Sequence, residues 1–239
     1  MEVSVLDSVI VFSNESPIEI HGGEGGSGPL FWKRFVGAPD MHADWESFEY
    51  ARLPNGGVIG EHVHDRTEEI YFVTKGKATM YLDDVPHVVG PGDLILTPLN
   101  GKHRAAVDQD DPEWEFIVAE VLPPEVLHGE SRSDAAGVDR PSKIVSLGDG
   151  DAGGLAEVFS GAWSAIAVDS IPAGDERAFT ADDAEHALYV LSGRGTATTE
   201  LHSFELDEGR GLAIPKGGRV SIAAADSGEL KLFRISVAL

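Results

Sequence analysis

The stretch GEHVHDRTEEIYFVTKG, Gly60–Gly76, sets two histidines one residue apart, then two adjacent glutamates, then an apolar run closed by glycine. Side chains alternate along a strand, so His62 and His64 share one face. The polar turn that follows leads into a second strand, which Glu69 opens. Two antiparallel strands joined in this way bring His62, His64 and Glu69 to one patch. Neutral imidazoles with one carboxylate suit a first-row divalent metal. By the same alternation Glu68 is expected to be exposed, while Tyr71 shares the face of Glu69.

A fourth donor comes from GDLILTPLNGKH, Gly92–His103. Here glycine is followed after five residues by Pro98, and His103 lies five beyond the proline. The turn Leu99–Lys102 returns the chain so that His103 points into the same barrel. The set then offers three nitrogens and one oxygen.

The rest of the chain reads as strands. Its 28 glycines and 13 prolines punctuate short runs rich in Val, Ile, Leu, Phe and Tyr, among them SFEYARL, ATMYLDD, EFIVAEVL, SAIAVDSI and LKLFRISVAL. Many short strands with Gly/Pro turns make an all-β sandwich or barrel. Only DAGGLAEVFSGAWS, Asp151–Ser164, has room for a helical turn. The halves repeat each other: Gly76, Gly92 and Pro98 recur 117 residues later as Gly193, Gly209 and Pro215, whereas LPNGG recurs as IPAGD at a spacing of 118. The reading is a duplicated β domain: residues 1–121 as an N-terminal arm plus the barrel with the histidines, 122–143 as a polar linker, and 144–239 as a second barrel.

The spacings Gly56-x5-His62-x-His64-x4-Glu69-x6-Gly76 and Gly92-x5-Pro98-x4-His103 resemble the two motifs of the cupin superfamily. Asn100 stands where the family's second motif has glycine, and Val107 where it has asparagine. Asparagine tolerates left-handed backbone, so the turn is expected to survive. The resemblance implies two tandem cupin jelly-roll β-barrels, a bicupin, with the metal motif intact only in the first. The second half keeps Gly174, Gly193, Gly209, Pro215 and Gly217. At a spacing of 117 its counterparts of His62, His64 and Glu69 are Phe179, Ala181 and His186; at 118 they are Thr180, Asp182 and Ala187. Val220 replaces His103. His186 reads as a half-buried structural histidine.

The chemistry follows from the ligand set. Four protein ligands on a six-coordinate ion leave two open positions, and the positive complex favours an anionic substrate oxygen such as an enolate, catecholate or carboxylate. Family resemblance favours one Fe(II) or Mn(II) per chain, with Ni, Co, Cu and Zn also compatible. The resemblance implies a metal-dependent enzyme acting on a small oxygenated metabolite, with a dioxygenase-type oxidoreductase using O2 as the first reading. A non-oxidative isomerase, lyase or decarboxylase is the alternative within enzymes. A ligand-binding or storage protein with a structural metal is the alternative outside them. In some cupins the carboxylate equivalent to Glu69 moves protons, so Glu69 and Tyr71 are the catalytic candidates. Tyr71 and Arg52 are the candidates for binding substrate.

Composition narrows the partners. The net charge of −23 repels nucleic acid and anionic membranes. There is no cysteine, so disulfides and thiolate chemistry are excluded. The first residues lack a basic segment and a small-residue cleavage site, and no run approaches a membrane span, which gives a cytoplasmic expectation. The family resemblance implies either a homodimer through sheet edges or internal pairing of the two barrels. HGGEGGSGP, His21–Pro29, reads as a flexible loop that can cover the barrel mouth as a lid, not as a phosphate loop. His42, His87 and His128 read as solvated.

Overall fold

The computed structural model describes residues 4–6, 8–129 and 140–239. Within the expected linker, residues 130–139 lie outside that description; before them comes a single helical turn, Pro124–Leu127. The expected turn in Asp151–Ser164 forms as Leu155–Val158. Everything else regular is strand or short 3-10 turn, and no helix among the described residues is long and apolar enough to cross a membrane.

Among the described residues the strands form four antiparallel sheets. In the first half, a four-stranded sheet runs Val58–Val63, Lys102–Ala106, Ala78–Leu82, Val85–Val89. It faces a seven-stranded sheet whose middle strands are Asp93–Thr97, Glu68–Lys75, Trp114–Val121 and Trp45–Leu53. Tyr71, Val73, Ile95, Met80, Trp114 and Phe116 fill the space between these two sheets. The second half repeats the plan: Glu176–Thr180, Arg219–Ala224, Arg194–Thr198 and Ser203–Asp207 face a seven-stranded sheet centred on Ala184–Ser192. Its interior is closed by Phe179, Leu188, Leu206, Val220 and Ile222.

A third core lies between the two seven-stranded sheets, so their strands are buried on both faces. Ile70, Phe72 and Ile117 from one sheet meet Tyr189, Phe233 and Ile235 from the other. Phe72 and Phe233 stack at 4.1 Å between ring centroids, a contact of about 0.5–1.5 kcal/mol beyond its buried area. This third core overturns the expectation for Glu68. It points away from the Glu69 face as alternation demands, but that direction leads into the other half and not into water, and Glu68 is 1% exposed.

Strand exchange ties the halves further. Val9–Ser13 pairs with Arg210–Ile214 in the second half's sheet, and Lys143–Ser146 pairs with Asp93–Thr97 in the first half's sheet. The sheet pairings therefore cross the division read from the sequence. The strands Ser4–Leu6 and Val9–Ser13 lie on the second half's sheet, and residues 144–146 lie on the first half's.

The repeat also acquires a definite register. His64 N donates to Gly101 O at 3.0 Å and Asn100 N to His64 O at 2.7 Å; Ala181 N donates to Gly218 O at 3.0 Å and Gly217 N to Ala181 O at 2.8 Å. These bonds fix Ala181 as the counterpart of His64, so the spacing of 117 applies here. Asn100 adopts φ 67° and Gly217 φ 77°, the left-handed turn that asparagine was expected to tolerate. The one-residue difference from the upstream spacing is a β-bulge. His103 pairs with His62 and Ala105 with Ile59, so Gly60 and Glu61 oppose Arg104 alone. The second half pairs there without interruption. A bulge bends its strand and re-aims the next side chain; here that side chain is His62.

The bulge also receives the glycine-rich segment. Ser27 and Val58 exchange two backbone hydrogen bonds of 2.9 Å. A Cβ on Gly60 would stand 2.0 Å from Glu24 O, and one on Gly26 1.9 Å from Val58 O. The segment is thus a strap docked backbone to backbone, not a loose loop, and only glycine permits the approach. Gly60→Ala is expected to cost about 1–3 kcal/mol and to undock the strap. Limited proteolysis between residues 22 and 28 should accelerate at least several-fold; cleavage at the native rate would refute the docking.

Candidate metal centre

Four side chains meet under the strap. One donor atom from each of His62, His64, Glu69 and His103 lies within 4.8 Å of every other. His62 and His64 come from the bulged strand and its following turn, Glu69 from the adjacent sheet, and His103 from the strand paired to His62. His64, Glu69 and His103 are buried. Their Nε2 atoms converge: His64 to His103 3.0 Å, and His103 to His62 2.9 Å. Glu69 Oε2 stands 3.1 Å from His64 Nε2 and 3.2 Å from His103 Nε2.

This arrangement fits a cation better than it fits hydrogen bonding. A neutral imidazole carries one N–H, so His103 Nε2 cannot serve both neighbours and the carboxylate. Glu69 Oε2 is buried without a hydrogen-bond partner. Burial holds the Glu69 carboxyl well above its usual range, and burial with two neighbouring imidazoles holds His103 well below its own. His64 is lowered chiefly by burial. Neutral imidazoles are the ligand form, and a divalent ion bound there would supply the charge that lets Glu69 ionise. Four of the donor pairs lie 2.9–3.2 Å apart, close enough for one ion to bind these donors together.

The rings are oriented from behind. His62 Nδ1 lies 3.0 Å from Gly60 O, the bulge carbonyl, and His64 Nδ1 lies 3.3 Å from Thr67 Oγ1. Such outer partners fix the tautomer and aim Nε2 inward. In the second half the corresponding positions hold Phe179, Ala181 and Val220, which pack into its core. His186, at the position of Glu69, contacts Ser236 Oγ at 2.8 Å and Thr180 O at 3.1 Å. Burial lowers its pKa and Arg234 lowers it further, while the bond to the Thr180 carbonyl, Asp169 and Glu185 oppose. Its stabilising contribution is therefore present above pH ~6.5 and lost as pH falls through the lower folded value. His186→Gln is expected to flatten the pH dependence of the urea midpoint between about pH 7 and 5; an unchanged slope would contradict this.

A cavity of about 470 Å³ opens beside the four ligands. Tyr71, Phe116, Val118, Ile59 and Leu30 give it an apolar wall, and the strap contributes Ile20, Gly23 and Glu24 to its mouth. Tyr71 reaches this cavity, its ring 5.2 Å from that of His103, and burial keeps its hydroxyl protonated. Arg52 does not reach it. It shares the Tyr50 face of its strand, bonds Glu113 at 2.7 Å and lies over the Phe31 ring at 4.2 Å. The sequence reading missed the cavity's own polar residues. Glu49 accepts from Trp32 Nε1 at 2.5 Å and Arg34 Nε at 3.2 Å. Glu120, opposite Glu69 on the neighbouring strand, has its carboxyl raised to about 7 by burial and by the nearby Glu69. No spacing motif links these residues; only strand parity (Glu49 with Ala51, Glu120 with Val118) marks them as inward-facing.

Residues 49–119 match the family model of the cupin domain. The first half therefore carries a cupin domain. An oxalate-binding protein of Thermotoga maritima is 26% identical over 117 residues, 48% of this chain and 94% of the relative. Among solved structures, Ylba of E. coli superposes with a TM-score of 0.75 at 12% identity, covering 99% of this chain and 94% of its own. The pirin YhhW of E. coli, solved with nickel(II), gives 0.69 at 12% identity over 97% and 100%. At such identities the likeness is one of fold.

Proposed function

We propose that this protein is a metal-dependent enzyme whose first barrel binds one divalent ion through His62, His64, Glu69 and His103 and acts on a small oxygenated molecule. The observation that carries the reading is the convergence of three imidazole nitrogens and one carboxylate oxygen at the wall of a substrate-sized cavity. Nitrogen and oxygen donors accept Fe(II), Mn(II) and Zn(II) alike, and it is the family resemblance that puts Fe(II) or Mn(II) first. Such an ion would act as Lewis acid on an oxygenated substrate and, as iron, would support dioxygen chemistry, so a dioxygenase-type oxidation is the leading reaction. Oxygen-independent isomerisation, lysis or decarboxylation is the competing one. Oxalate, for which the Thermotoga relative is named, would chelate the ion through two carboxylate oxygens; the carboxyls of Glu49 and Glu120 make it the less favoured ligand.

The chain's own groups complete the site. Tyr71 offers a protonated hydroxyl to a substrate oxygen, Thr67 steadies His64, and the apolar wall excludes water. The second barrel acts as a scaffold through the shared core, a role consistent with a cytoplasmic protein that pairs its barrels internally. Metal analysis of protein purified without chelator, followed by a substrate screen with and without oxygen, tests the proposal. Turnover that survives anaerobiosis unchanged would remove the dioxygenase assignment. Tyr71→Phe is expected to keep its metal and to lose about 10–100-fold in turnover; native turnover would dismiss Tyr71.

A further inference from the structure

We infer that the substrate binds the metal through an oxygen head group and is otherwise neutral or cationic, its body lying against the Tyr71–Phe116 wall and its donor groups facing Glu49 and Glu120. The inference rests on the metal-centre reading and adds the charge of the ligand to it. The cavity's charged lining comprises Glu24, Glu49, Asp65, Glu69 and Glu120 against Arg34 and Arg66. Omitting Glu120, the acids still outnumber the bases by four to two, so a divalent ion brings the site only to neutrality.

The placement of these charges matters more than their number. Glu49 is buried and Glu120 half-buried, so solvent screens them weakly. Both arginines lie at the exposed rim and are already engaged. Arg34 Nε bonds Glu49, and its guanidinium lies 5.5 Å from the Trp32 ring. Arg66 makes a two-point bond to Glu46 at 2.9 Å and 2.9 Å. An anionic tail would therefore enter a region of buried carboxyls without an uncommitted lining cation. An ammonium or hydroxyl there finds acceptors instead. The aromatic wall adds favourable contact for an apolar or planar body, and for a cation over a ring face.

The test uses the full chain loaded with Co(II), whose visible absorption reports ligand binding, with cobalt content measured for every sample. Three probes share one chelating diol and differ in tail charge: dopamine, catechol and protocatechuate, titrated under argon at neutral pH. Dopamine is expected to bind at least about tenfold more tightly than protocatechuate, with catechol between them. In Glu49→Gln and Glu120→Gln, each with cobalt content near the native value, that ratio should shrink to about threefold or less. Protocatechuate binding as tightly as dopamine would overturn the inference. So would a ratio that both variants leave unchanged, or a cobalt-loaded chain that binds none of the three. A chain that takes up no cobalt would overturn the metal-centre reading itself, and the inference with it.

Discussion

His64→Ala and His103→Ala are each expected to weaken divalent metal binding by more than ~100-fold, beyond what loss of an outer-sphere partner costs. Both imidazoles are buried, and His103 Nε2 lies within about 3 Å of all three other donors, so no other side chain can take its place. Loss of either leaves three donors and a cavity that water enters. The native chain should bind close to one ion, and saturation at ~100 times Kd should add about 2.7 kcal/mol to its stability. For a chain of this size that corresponds to a rise in Tm of about 5–10 °C on adding Mn(II) or Ni(II). Both alanine variants should lose that rise while keeping the apo midpoint, because removing an imidazole from an uncompensated cluster relieves crowding of lone pairs. Metal content below ~0.2 per chain in the native protein, unchanged in the variants, would end the metal-centre reading.

What the sequence discloses about this site depends on the range of the signal. His62, His64 and Glu69 are legible because alternation and a short turn fix their mutual direction, and His103 because a proline turn brings it back. The one-residue slip between the two spacings was also visible, but not its meaning. Only strand pairing shows that it is a bulge that aims His62 and accepts the strap. Arg52 shows the opposite failure. Its alternation places it with Tyr50, and nothing local says that the Tyr50 face belongs to the shared core and not to the cavity. Glu49 and Glu120 stay hidden for the same reason, since their importance comes from strands that only the fold makes neighbours. For Glu68 a signal did exist: the unbroken apolar run Ile70–Val73 marks a strand covered on both faces, which contradicts an exposed Glu68.

Glu68 and its counterpart Glu185, 117 residues on, are expected to act as reciprocal latches between the halves, and the loss of either should be among the costlier single changes to the fold. Glu68 accepts from Ser160 N at 2.6 Å, Gly161 N at 3.0 Å and Trp163 Nε1 at 2.9 Å, all in the second half. Glu185, with no exposure, accepts from His42 N at 3.0 Å and Ala43 N at 2.8 Å in the first half, and from Lys216 N at 2.7 Å. Each carboxylate thus gathers backbone N–H groups just ahead of a nine-residue strand of the other half, Trp45–Leu53 or Trp163–Ile171. Truncation leaves those donors buried and unsatisfied, at about 1–3 kcal/mol each. Glu68→Ala and Glu185→Ala should each lower stability by about 3–5 kcal/mol, a large share of the roughly 5–15 kcal/mol of a folded domain. The glutamine variants, which keep one acceptor oxygen, should lose about half as much. Exposed Glu61→Ala should stay within about 0.5 kcal/mol. Urea midpoints measure the series, and amide exchange locates it: the Ser160 and Gly161 amides should exchange faster in Glu68→Ala, and the His42 and Ala43 amides in Glu185→Ala. A loss below ~1 kcal/mol in either alanine variant, or amide exchange that does not move, would show that the apolar core and the exchanged strands hold the halves without these latches.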